Sequence, residues 1–204
     1  MHASTITFAL LSIVGFTMAA PTPVDVAPRC GVTMYPTILQ QLTEDSPYTT
    51  NPNTAQGTNN FHVSQTVGTD GKVGSRITQV VGFAGIPSGA YGCQLNVKFE
   101  AGAAISTVGN PTLNVTTLYK DSPSSISYPN NWSWSQFYPS TSPPLGQGLF
   151  ATTTLAPGQN SALNSQTCSG NLAFVFSIAS WVSKTASVEF TESIKNGIYL
   201  THSC

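Results

Sequence analysis

The stretch Tyr91-Gly92-Cys93-Gln94-Leu95-Asn96-Val97-Lys98-Phe99 alternates apolar and polar side chains over most of its length. A period of two puts every second side chain on one face of an extended chain, so these residues predict a half-buried strand with Tyr91, Cys93, Leu95, Val97 and Phe99 turned to a core. The same period recurs on both sides. Phe61-His62-Val63-Ser64-Gln65 and Arg76-Ile77-Thr78-Gln79-Val80-Val81-Gly82-Phe83 precede it, and strands are predicted at 113–119, 148–155, 172–178, 186–192 and 198–202. Turns such as Ile86-Pro87-Ser88-Gly89, Gly109-Asn110-Pro111 and Ala156-Pro157-Gly158-Gln159 stand between them. Many short antiparallel strands joined this way predict an all-β fold, an antiparallel β-sandwich of jelly-roll type. One segment departs from the pattern: the apolar spacing of Ile38-Leu39-Gln40-Gln41-Leu42 predicts a short helix ended by Pro47, within a loop-like flap over 36–60.

Upstream, the apolar run from Ile6 to Phe16, followed by Thr17-Met18-Ala19-Ala20-Pro21, predicts a signal peptide over 1–19. Residues 20–29, with three prolines, form an extended leader, and 30–204 form one β-sandwich domain. No later segment approaches the roughly 20 apolar residues of a membrane helix, so a secreted protein, extracellular or in a cell wall, is expected.

All four cysteines follow the leader, and an even number in a secreted chain predicts two disulfides. Three pairings are possible. Cys93–Cys168 with Cys30–Cys204 is favoured, because the first two open strong strands and the last two tie the chain ends. Each bond is expected to stabilise by about 3–5 kcal/mol through loop entropy. No CxxC or HxxxH spacing supports zinc, and no metal or other cofactor is expected.

Charged residues make up 7% of the chain and the net charge is −1, so no basic stripe is available for nucleic acid. Hydrophobic residues at 40% suffice for a core. Gly146-Gln147-Gly148-Leu149-Phe150-Ala151 fits a loose dinucleotide pattern, but Pro143-Pro144 occupy the place of the strand that pattern needs. No GxSxG nucleophile elbow is present, and the thiols are consumed by disulfides. A copper-dependent polysaccharide monooxygenase needs an amino-terminal histidine, which cleavage near Ala19 does not leave. His62 and His202 are read as surface or capped residues. A glycosidase needs two carboxylates flanking a cleft, and Glu189 and Glu192, three apart, face opposite sides of a strand.

The one compositional excursion, 121–144, is a long Ser/Pro/Asn-rich loop carrying Tyr128, Trp132, Trp134, Phe137 and Tyr138. In an extended segment Trp132 and Trp134 face the same way, as a strip that stacks on sugar faces would. The alternative is that the loop folds back and these rings cap the sandwich. Two glycosylation sequons are present, at Asn114 and Asn131.

Gly89-Ala90-Tyr91-Gly92-Cys93-Gln94-Leu95, Gly109-Asn110-Pro111-Thr112-Leu113-Asn114-Val115, Trp132-Ser133-Trp134 and Tyr199-Leu200-Thr201-His202-Ser203-Cys204 also carry a likeness. Over about 29–204 the chain resembles the fungal secreted proteins classed with the ubiquitin 3 binding protein C-terminal domain family. The resemblance implies a secreted β-sandwich and supplies no catalytic motif. The expected function is therefore a non-enzymatic, monomeric cell-wall or host-surface glycoprotein. The alternative is a carbohydrate-binding module using the Trp132/Trp134 loop, with cell-wall or host glycans as partners. A glycoside hydrolase-like enzyme and a ubiquitin-like-pathway binding protein are lesser alternatives.

Overall fold

The computed structural model describes residues 31–118, 132–139 and 148–203. Tyr128, Asn131, Cys30 and Cys204, with the expected signal peptide and leader, lie outside the described residues.

Two antiparallel sheets face each other across the core, as the alternation predicts. The smaller pairs β1 (Val32–Met34), β12 (Gly197–His202), β5 (Cys93–Lys98) and β9 (Asn160–Gln166), in that order. The larger runs β6 (Ser106–Val108), β11 (Ala186–Thr191), β3 (Asn60–Val67), β4 (Val73–Ala84), β10 (Asn171–Ile178), β7 (Leu113–Thr117) and β8 (Leu149–Thr153). A further strand, β2 (Ile38–Thr43), pairs with β4.

The main core forms where the inner rows meet: Cys93, Leu95 and Val97 of β5 and Ile198 and Leu200 of β12 pack against Phe61, Val81, Phe83, Phe174 and Phe176 of the larger sheet. Phe61 stacks on Phe190 at 4.6 Å between ring centres and meets Phe176 edge-on at 5.4 Å. Cys93 bonds to Cys168, tying the start of β5 to the segment between β9 and β10. The expected Cys93–Cys168 bridge is thus present.

Two expectations need correcting. Tyr91 is 63% exposed and outside the strand, because Gly92 takes a positive φ of 60° and breaks the alternation before Cys93. Ile38–Thr43 is a strand and not a helix. A single helical turn is marginal in isolation, whereas here the backbone finds partners on both edges. β4 pairs one edge in register, Ile38 opposite Gly82 and Thr43 opposite Ile77. Gly82 matters at that crossing, since a Cβ there would meet the Ile38 side chain at 3.0 Å. On the other edge the flap supplies asparagines: Leu39 N–H donates to Asn53 Oδ1 at 2.8 Å, and Asn51 Nδ2 donates to the Gln41 carbonyl at 2.9 Å.

A second core lies on the outer face of the larger sheet. β4 carries Val80 beside Val81, and β10 carries Ala173 and Val175 between its inward phenylalanines, so both strands are apolar on two faces and must be covered twice. Ile38 and Leu42 of β2 extend this apolar face within the sheet. The cover comes from Trp132 and from α1 (Trp134–Phe137), a single helical turn in which Trp134 and Phe137 are buried.

Candidate functional site

The aromatic residues singled out in the sequence are drawn onto this outer face by specific hydrogen bonds. Gln40, fully buried on β2, donates through Nε2 to the carbonyls of Asn51 and Trp132, at 2.9 and 3.3 Å. The Ser135 N–H donates to the Pro47 carbonyl at 2.8 Å, and the Ser133 N–H donates to Gln136 Oε1 at 3.2 Å, closing the start of α1. Trp132, Trp134 and Phe137 are consequently buried and Tyr138 half-buried. The two indoles do not form an extended strip: Trp132 meets Phe137 edge-on at 5.9 Å, while Trp134 packs on Tyr138 at 4.3 Å.

Trp134 and Tyr138 nevertheless form one wall of a cleft of about 280 Å³. Four neighbouring strands complete it with Ser64, Arg76, Thr78, Asn114 and Ser177. Strand pairing explains the gathering: Asn114 and Ser177 stand directly opposite each other on β7 and β10, and Leu113 and Val115 turn inward on either side of Asn114. Asn114 is half-buried, and its Oδ1 accepts a hydrogen bond from Thr152 Oγ1 at 3.2 Å.

Arg76 sits 5.0 Å over the Trp134 ring and makes a two-pronged ion pair with Glu44, at 2.9 and 2.7 Å. Hydrogen bonding from Arg76 holds the Glu44 carboxyl below its ordinary range, and Glu44 in turn raises the guanidinium. Burial pushes the Tyr138 phenol up, with Thr78 and the Arg76 charge pulling the other way. At neutral pH the cleft therefore offers hydroxyls, an amide and an uncharged phenol around a neutralised cation. Arg76→Met is expected to cost about 1 kcal/mol at neutral pH, through the lost ion pair and ring contact. Because the Glu44 pKa is lowered on folding, the ion-pair part of that loss is present above the ordinary carboxylate range and fades as pH falls through the lowered value. Urea midpoints of both proteins from neutral to acid pH check it; a gap that does not narrow would count against the pair.

Besides Glu44, most carboxylates of the described residues have partners of their own. Glu189 meets His62 at 3.4 Å across the β3–β11 pair, Glu100 meets Lys195 at 3.5 Å, Asp70 meets Lys72 at 3.7 Å, and Glu192 is buried behind β12. Glu189 is exposed where Glu192 is buried, as the three-residue spacing implies. Among the described residues the cleft is lined by hydroxyl, amide, aromatic, aliphatic and guanidinium groups, and its lining includes no carboxylate. His202 is buried rather than at the surface, its Nδ1 against Ser203 Oγ at 3.1 Å. Among the described residues no three His, Cys, Asp or Glu side chains gather into a metal-binding group.

An exposed tryptophan escaped the sequence reading. Trp181 lies after β10 and is 60% exposed. Its signal was a tryptophan in the polar run Ser180-Trp181-Val182-Ser183-Lys184, where burial has no strand to serve it. Compared with protein-family models and with curated proteins, the chain matches none.

Proposed function

We propose that this chain is a secreted, non-enzymatic glycoprotein that works at a cell wall or host surface by binding glycan in the cleft between Trp134, Tyr138 and the outer face of the larger sheet. The observation that carries the reading is the composition of that cleft: apolar surface from Trp134, Tyr138, Val73, Ile178 and Val182 beside a set of neutral donors and acceptors. Sugars present apolar faces rimmed by hydroxyls, and such a wall answers both. No carboxylate of the described residues lines the cleft, which favours binding over the paired acid and base of glycoside hydrolysis. Trp134 and Tyr138 keep a role in this reading, whereas Trp132 and Phe137 serve the second core. The jelly-roll type, the Cys30–Cys204 bridge, the sequon at Asn131, the monomeric state and the kinship with the ubiquitin 3 binding protein C-terminal domain family belong to the same proposal, in which the Asn114 sequon, on the cleft wall, stays unmodified.

Truncating Trp134 would disturb the core, so the test fills the cleft instead. Wild-type protein is expected to be retained by at least one of insoluble chitin, β-glucan or cellulose, with no release of reducing ends. Ser177→Trp, placed on the cleft floor, is expected to reduce retention at least tenfold while leaving the circular dichroism unchanged. Retention that survives Ser177→Trp moves the site elsewhere, and wild-type protein that passes through all three rejects glycan binding.

A further inference from the structure

We infer that the cleft is the inner half of a longer groove, whose outer half is built on Trp181 and takes the next rings of the same saccharide chain. This inference rests on the glycan reading above and extends it from a single sugar to an oligosaccharide.

A second hollow, of about 330 Å³, is lined by Trp181, Ser183, Lys184, Asn110 and Thr112. It is contiguous with the first in two ways. Val182 lines both. Thr112 borders the outer hollow and Asn114 the inner one, two residues apart along one stretch of chain entering β7, which sets them about 7 Å from each other. The hollows are therefore neighbours that meet at Val182.

The segment that carries Trp181 is held in place rather than free. Gln65, only 4% exposed, donates through Nε2 to the Val182 carbonyl at 2.6 Å and to the Lys184 carbonyl at 2.9 Å. The Val182 N–H donates to the Ala179 carbonyl at 2.9 Å, and the Ala179 N–H to the Thr112 carbonyl at 2.8 Å. A buried glutamine spending its amide on two loop carbonyls fixes the turn while the indole it carries stays in solvent. An aromatic ring on a pinned backbone loses little entropy when a sugar stacks on it. Ser183, Thr112 and Asn110 add neutral hydrogen-bonding groups beside the ring, and Lys184 adds three donors. The outer hollow thus repeats the chemistry of the inner one, with a ring face more open to an incoming chain.

Asn114 stands at the junction, so a glycan attached there would lie across the groove. The test accordingly uses full-length secreted protein carrying Thr116→Val, which erases that sequon and leaves Asn114 in place. Titration calorimetry with di-, tetra- and hexasaccharides of chitin, cellulose and β-1,3-glucan reads affinity against length. For the sugar that binds, affinity is expected to rise about threefold to tenfold from disaccharide to hexasaccharide, the size of one added ring contact. Trp181→Ala is expected to remove that rise and leave disaccharide affinity unchanged. A flat length dependence, or a rise that persists in Trp181→Ala, overturns the groove while the inner cleft stands. Binding by no sugar of any length overturns both.

Discussion

Replacing Gly197 with alanine is expected to destabilise the protein by about 2–4 kcal/mol, read as a lower urea midpoint at unchanged slope. Gly197 opens β12 with φ at 141°, a region that residues with a Cβ rarely adopt. An added methyl would also fall directly on the Glu192 carboxyl, which packs against the glycine Cα. Glu192 follows β11, is 6% exposed, and accepts through Oε1 a 2.6 Å hydrogen bond from the Ile198 N–H, closing the connection between two adjacent strands of opposite sheets. Gly71→Ala separates the two causes: its φ is 76° with nothing near the new methyl, and it should cost about 1–2 kcal/mol for backbone conformation alone.

The same contact makes stability depend on pH. Burial raises the Glu192 pKa well above the ordinary carboxylate value, and the opposing pull of the Ile198 N–H is weaker. The folded state therefore holds this proton more tightly than the unfolded chain. Stability from Glu192 is complete below the ordinary carboxylate value and declines as pH rises through the raised one. Glu192→Gln keeps an acceptor for Ile198 and cannot ionise, so it should flatten that decline and exceed wild type at about pH 8. Parallel profiles for the two proteins would assign the pH dependence to another group.

The second large effect is expected at the Cys93–Cys168 bond. It closes a span of 75 residues, for which loop entropy gives about 4 kcal/mol. Cys93 is fully buried in the main core opposite Gln166 of β9, and Cys168 reaches it from the segment between β9 and β10. The double variant Cys93→Ala/Cys168→Ala should lose most of that value; it is preferred to a reductant, which would act on every disulfide at once. A loss below about 1 kcal/mol would mean that the unfolded chain is already compact across this span.

Where burial falls on one face, the strands were legible in the sequence. β3, β5, β10, β11 and β12 show period two or an unbroken apolar run, and they lie where the alternation puts them within a residue or two. β9, Asn160–Gln166, left no such mark, because it is the outer strand of the smaller sheet and only Leu163 of its apolar residues packs against the core. β2 was misread because its partners are remote: β4 lies 34 to 44 residues along the chain in register terms, from Thr43 opposite Ile77 to Ile38 opposite Gly82. The second core was visible in principle, since Val80-Val81 and Phe174-Val175-Phe176 are apolar on both faces and demand a second cover. Of the candidate site, the aromatic run named Trp134 and Tyr138. Arg76, Ser64, Asn114 and Ser177 are unremarkable polar residues in one dimension and meet only when four strands pair.

The asparagines beside β2 have a bearing on how the protein behaves in company. An unpaired strand border offers its peptide groups to any chain that drifts against it, the first step of ordered aggregation. Here the Asn51 and Asn53 amides occupy part of that border, and the Thr54 N–H takes the Leu39 carbonyl at 2.8 Å. Sheet growth is thus capped on that side by a short stretch of the chain's own flap, half side chain and half backbone.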